Sequence, residues 1–346
     1  MASALSFNIT YDASVAASTN AAQITNAFAY AAQSFSDTFT NAATIYLTVY
    51  WGPSGPFSDG IGLGRSQFLL IGSSYSEITN ALRTHRASAA DTNSVASLPV
   101  ADPSSSGQWI VAYPEARVLG LVPPIDRPNA NPPEDGEVGF ATNVNYTFDP
   151  NNRSVPGKFD FIGVAQHELS EVLGRNFYDL TTFFVPYDLF RFSSSGVRSL
   201  DPNATNAYFS VNNGATALKF FYTNQFLGDI QDWKSTNTPD AFDAFVTSGH
   251  INPMSTVDIT AMDVLGYNGL ALVPPHLYVA KTNNNVTLRF VNSPGVTFTV
   301  LATTNLATKA STWTALGTAS EAPPGQFIFT DTAATGGFRF YSVRSP

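Results

Sequence analysis

Three residues in one short stretch carry the chemistry this sequence offers: His167, Glu168 and Glu171, in FIGVAQHELSEVLGR. Around them Phe161, Ala165, Leu169, Val172 and Leu173 recur every three or four residues without a proline, so the spacing predicts a helix over 161–175. Gly174 supplies its stop. Four residues apart on a helix, His167 and Glu171 project from one face, one turn above the other. An imidazole and a carboxylate so placed can both reach a zinc ion (Zn2+). The glutamate next to the histidine can then take a proton from a water that the metal polarises. This is the logic of the H-E-x-x-H helix, with a carboxylate in place of the second imidazole.

The plain alternative is a solvated helix face with two ordinary glutamates and a surface histidine. At average residue usage such a string arises by chance in roughly one chain in thirty or forty of this length. Two features weigh against it. The flanking residues are apolar, and only 12% of the chain is charged. Three ionisable groups on such a helix need pairing or a metal.

A further ligand must come from elsewhere in the chain. Asp188 is the first candidate, a lone carboxylate in the apolar run FFVPYDLFRF just after the helix. The competing role for it is a salt bridge to Arg191. Asp179 is the next choice, and His250 and His276 are more distant ones. His85, flanked by Thr84 and Arg86, reads as solvated.

The elements that must position these groups follow from periodicity. Strands are expected at 6–11, 43–51, 67–71, 109–113 and 139–148, and helices at 21–35 and 75–87, with a short turn near 93–98. This alternation ahead of the 161–175 helix implies an α/β (α+β) domain with a mixed sheet. The stretch 139–146 is expected to be the edge strand that pairs with an extended substrate. Short strands at 207–211 and 218–222 flank an Asn-Asn-Gly turn, and Ser255 or Thr256 caps a last helix running to Tyr267. Beyond Leu272–Pro275 the texture changes to alternation with regular turns, which reads as a small all-β sandwich. The domains are therefore expected at 1–270 and 271–346.

Composition narrows the function further. The chain of 346 residues is 44% apolar, enough for a sizeable core. A net charge of −9 without a basic run argues against nucleic acid and anionic membranes as partners. With no cysteine there is no disulfide framework, no thiolate zinc site and no thiol nucleophile. No run is long enough to span a bilayer. The first residues carry no signal-peptide pattern, so the chain is either cytoplasmic or a mature, secreted form with a new start; the second reading is favoured because they lead straight into structured sequence. Asn, Ser and Thr in place of Lys and Glu suit that location. A monomer is expected.

Several stretches together resemble a family of secreted bacterial metalloproteases: GVAQHELSEVLGR, VPYDLFRF with SGVRSL, AYFSVNNGATALKFF, GDIQDW, DAF and VDITAMDVLGY. The resemblance covers most of residues 6 to 268. In that family the helix takes the H-E-x-x-E-V-x-G-R form. A wider likeness is to metzincins of the matrixin and serralysin kind, which end in a helix after the active site as VDITAMDVLGY does. The long metzincin motif places a third histidine where this chain has Phe177, which cannot bind metal. Met254 stands in the place of the methionine below the metal. The last stretch resembles terminal β modules of secreted proteins from environmental bacteria.

The resemblance implies a zinc metalloendopeptidase acting on protein or peptide, with His167 and Glu171 on the metal and Glu168 as the base; the residue reading adds Asp188 as the candidate third ligand. The rival expectation is a non-catalytic binding protein on a degenerate protease scaffold, its polar helix a structural ion site. Hydrolysis of a non-peptide bond is a third.

Overall fold

The computed structural model describes residues 5–104, 107–122, 135–178, 181–224, 226–269, 277–283, 285–292, 298–321, 325–334 and 338–344. It is a mixed α+β molecule with several sheets and seven helices among those residues. The expected linker, 272–275, lies outside them, as do Asp179 and His276.

Two parallel strands begin the chain: β1 (Ser6–Tyr11) pairs with β2 (Thr44–Trp51) in the register Ser6↔Thr44. Between them lie α1 (Ala13–Ala16) and α2 (Ala21–Thr38). In β2 every second side chain, Ile45, Leu47 and Val49, is buried, as a strand with one face on a core requires. Next come β3 (Gly64–Phe68), β4 (Leu70–Ser73), α3 (Tyr75–His85), α4 (Ala89–Ala96), β5 (Trp109–Ala112), α5 (Tyr113–Val118) and β6 (Gly136–Phe140). Both α3 and α4 start on a serine capping box, Ser74 with Glu77 and Ser88 with Asp91. That box is why a full helix forms at 89–96 where the sequence suggested only a turn.

The main sheet has the order β1-β2-β6-β3. Strand β6 runs parallel to β2, and β3 runs antiparallel to β6. The strand expected at 139–148 is thus two pieces, β6 and β7 (Tyr146–Thr147). The edge-strand expectation for 139–146 is corrected: β6 is interior, hydrogen-bonded on both sides, and β3 is the edge. Short β8 (Phe159–Asp160) then leads into α6 (Phe161–Val172), the helix bearing the ionisable groups. Phe140 and Phe161 pack at 4.6 Å between sheet and helix. The neighbouring α2 touches α6 through Gln166, which donates to Ser34 Oγ at 2.9 Å.

A second, smaller sheet follows, of β9 (Arg191–Ser194), β10 (Val197–Arg198), β11 (Tyr208–Phe209) and β12 (Lys219–Phe220), in the order β10-β9-β11-β12. After it α7 (Thr256–Val264) is capped reciprocally by Ser255 and Asp258. Its end ties back to the start of the chain: Asn41 donates to the Gly266 carbonyl, and the Thr40 N–H donates to that of Asn268.

The C-terminal strands pair only with one another among the described residues. One sheet is β13 (Tyr278–Thr282), β14 (Asn285–Val291), β18 (Gln326–Asp331) and β17 (Ser320–Glu321); the other is β16 (Thr314–Thr318), β15 (Thr299–Thr303) and β19 (Phe340–Arg344). Leu288, Phe290, Phe298, Val300 and Phe327 make their buried apolar layer, with Phe298 and Phe327 4.8 Å apart.

Candidate metal centre

The helix that carries the chemistry ends in a specific way. Gly174 takes a φ of 115°, open to glycine at low cost. Its N–H reaches the Glu171 carbonyl and that of Arg175 reaches Ser170, both at 3.0 Å, which is the Schellman closure. The reversal folds Arg175 back under the helix, where its guanidinium is fully buried over the Phe242 ring at 4.4 Å. From there Nη1 donates to Asp232 Oδ1 at 2.6 Å, and Nη2 stands 3.6 Å from Glu171 Oε1.

His167, Glu171 and Asp232 each offer a ligand atom, and these atoms all lie within 4.8 Å of one another. His167 Nε2 is 3.4 Å from Glu171 Oε1 and 3.4 Å from Asp232 Oδ1. The other ring nitrogen, Nδ1, is 2.8 Å from the Ala241 carbonyl. That oxygen can only accept, so Nδ1 carries the hydrogen and Nε2 faces the carboxylates. Glu171 is held at both oxygens, by Ser66 Oγ at 2.6 Å and by Gln231 Nε2 at 3.0 Å. The Nε2 edge of one imidazole and two carboxylates converge, and the Ala241 carbonyl, Ser66 and Gln231 orient them from behind. Once His167 gives up its Nε2 proton, this donor set could hold a divalent cation such as zinc.

The electrostatics follow from burial among like charges. Burial alone would lower the His167 imidazole, but Asp232 and Glu171 beside it reverse that and raise it to about 10. Burial acts to raise Glu171; His167, Arg175 and the Ser66 hydroxyl outweigh it and hold the carboxyl down at about 2. Glu168 is pushed well above the usual carboxylate range by burial first and by the Glu171 charge second. Burial and Glu171 likewise lift Asp229, to about 6.

Glu168 is 6% exposed and lies against β3 so closely that a Cβ on Gly64 would overlap its carboxyl. The two line a cleft of about 630 Å³. Its floor is His167, Glu168, Glu171 and Asp232; one wall is Gly62–Ser66, and the other is formed by Leu227–Asp229 and Asp243–Val246.

Of the residues singled out in the sequence, His167, Glu168 and Glu171 are brought together on the cleft floor. Asp188 is not brought to them. It is the third residue of the 3-10 turn Pro186–Phe190, where its Oδ2 accepts the Val185 N–H at 2.9 Å. Its charge acts on Arg191. A lone carboxylate in an apolar run is here a turn cap with a cationic neighbour, and the third position at the cluster belongs to Asp232. Sequence reasoning missed Asp232; the signal was the GDIQDW string, two aspartates beside a tryptophan. His250 is exposed, with Nδ1 3.2 Å from the Ser248 carbonyl. Met254 and Phe177 are half-buried against the core.

Compared with protein-family models, with curated proteins and with solved structures, the chain matches none. No helix among the described residues is long and apolar enough to cross a membrane.

Proposed function

We propose that this protein is a secreted, zinc-dependent metalloendopeptidase with a metzincin-like catalytic unit at 1–270 and an accessory β module at 271–346. The observation that carries the reading is the convergence of His167, Glu171 and Asp232 at the floor of a cleft, with Glu168 beside them and an edge strand above. His167 Nε2 and the Glu171 and Asp232 carboxylates would hold the ion. When bound, zinc supplies a Lewis acid that polarises a carbonyl and acidifies water.

The chain's own residues do the rest. Glu168 is the proton carrier: its burial raises its basicity, and a divalent cation nearby favours the ionised form that can accept the proton. It then returns that proton to the leaving amine. Among the described residues β3 is the outer strand of the main sheet and lines the cleft, so an extended peptide could add beside it as a further strand. Gly64, lacking a side chain, lets that edge approach the base closely.

The test is Glu168→Gln. Glutamine keeps the shape but cannot take the proton. Zinc content is expected to match the parent while cleavage of a casein-type substrate falls by roughly two to four powers of ten. Cleavage at the parent rate would sink the mechanism.

One observation favours a second reading, a non-catalytic protein in which the cluster is a polar strut. Arg175 already compensates Asp232 and Glu171 without any metal. In that case the protein takes up no zinc and cuts no substrate.

A further inference from the structure

We infer that Asp258, in the first turn of α7, is a positioning residue for the His167–Glu171–Asp232 site. It would pin together the two segments that place the third ligand and fix the imidazole tautomer. The inference rests on the metal reading above and deepens it.

Asp258 is fully buried and does not line the cleft. Its Oδ2 accepts the Ser255 N–H at 2.8 Å, the bond that caps the helix. Capping needs nothing more, yet Asp258 makes two further contacts. Its Oδ1 accepts the indole Nε1–H of Trp233 at 2.7 Å. It also shares a hydrogen bond with Asp240.

Both partners are chain neighbours of the site. Trp233 follows Asp232 directly, and Asp240 precedes Ala241, whose carbonyl takes the His167 Nδ1 hydrogen. The two segments are laced to each other. The Trp233 N–H donates to the Phe242 carbonyl and the Ala244 N–H donates to the Trp233 carbonyl, each at 2.9 Å. Asp240 Oδ1 accepts the Phe242 N–H at 2.9 Å, and its Oδ2 pairs with Lys219. Asp258 closes this arrangement from the side away from the cleft, touching one segment through an indole and the other through a carboxyl.

The proton inventory agrees. Burial, with the Asp240 charge beside it, raises Asp258 well above the carboxylate range, so Asp258 carries the shared proton. Burial acts to raise Asp240 too, but the bond from Asp258 and the Lys219 charge outweigh it and keep Asp240 low. Without Asp258 the Trp233 N–H and Asp240 each lose a buried partner, and the strain falls on the neighbours of Asp232 and Ala241. Outer-shell partners of metal ligands govern affinity by about 10- to 100-fold.

The experiment compares zinc affinities of the full-length parent and three variants, by competition with a chromophoric chelator below every variant's melting temperature. Asp258→Ala is expected to bind zinc about tenfold or more weakly. Asp258→Asn, which can donate to Asp240 and accept from Trp233, is expected to recover most of that loss. Ser255→Ala weakens the same cap without touching Trp233 or Asp240, so it should lower the melting temperature and leave zinc affinity as in the parent. The inference is overturned if Asp258→Ala binds zinc as the parent does. It is equally overturned if Ser255→Ala loses as much affinity, since general loosening of α7 would then explain both. A parent that binds no zinc removes the metal reading itself, and this inference with it.

Discussion

His167 is where charge and geometry meet most directly. In the metal-free site its imidazole is protonated up to about pH 10, because Asp232 and Glu171 overcome the effect of burial. A ligand must be neutral, so zinc has to displace that proton. Glu171, held at about 2, is already ionised across the working range and adds no pH dependence. Zinc affinity is therefore expected to rise by about tenfold per pH unit between roughly pH 6 and 8, with proton release measurable by calorimetry in buffers of different ionisation enthalpy. An affinity flat over that interval would mean that His167 is not a ligand.

The same scale explains what the sequence did and did not disclose. His167, Glu168 and Glu171 were legible because a helix converts a spacing of four into shared direction. Asp232 was not, because it comes from a loop that no periodicity links to the helix. Asp188 stands apart from that cluster for a physical reason. Few carboxylates lie in apolar runs, but the backbone N–H at the start of a helical turn satisfies one as well as a metal does.

At the scale of elements, α6 is set by its two ends. Asp160 before it is held by Arg153 at 2.6 Å and by the Asn252 N–H at 2.9 Å. Gly174 and Arg175 after it make the turn that delivers the guanidinium to the cluster. Alternation marks a strand but not its neighbours, so the sequence pattern at 139–146 does not disclose that β3 lies outside β6.

Helix α5 adds a buried carboxyl with no evident partner. Among the described residues neither oxygen of Glu115 has a hydrogen-bond partner, and a Cβ on Gly174 would press against it. Burial raises Glu115 well above its ordinary value. The sign follows: stability from this group is fully present below the unfolded pKa, near 4, and declines as pH rises toward the folded one. Glu115→Gln, which cannot ionise, should therefore match the parent's melting temperature most closely in acid. Its advantage should grow toward pH 8, with a slope of up to about 1.4 kcal/mol per pH unit. Denaturant melts at several pH values give the comparison, and a difference independent of pH would refute it.

For the whole molecule, the described residues before position 270 tie their end to their start. The end of α7 returns to Asn41 and Thr40, and no strand pairing among the described residues joins β1–β12 to β13–β19. The change from mixed to purely alternating sequence is what marks the expected boundary near 270, because a strand-only region repeats its apolar side chains with a period of two. Residues 1–270 expressed alone are expected to fold and to hold as much zinc as the full chain. Insolubility or lost metal would show that the terminal module is part of the catalytic unit.

The proposed chemistry requires a metal ion and an aspartate that holds it. Elemental analysis of the zinc-loaded, dialysed parent beside Asp232→Ala and Asp188→Ala decides both. About one zinc ion per chain is expected in the parent and in Asp188→Ala, and well under one in Asp232→Ala. A parent free of zinc, or an Asp232→Ala protein that keeps it, would contradict the centre described above.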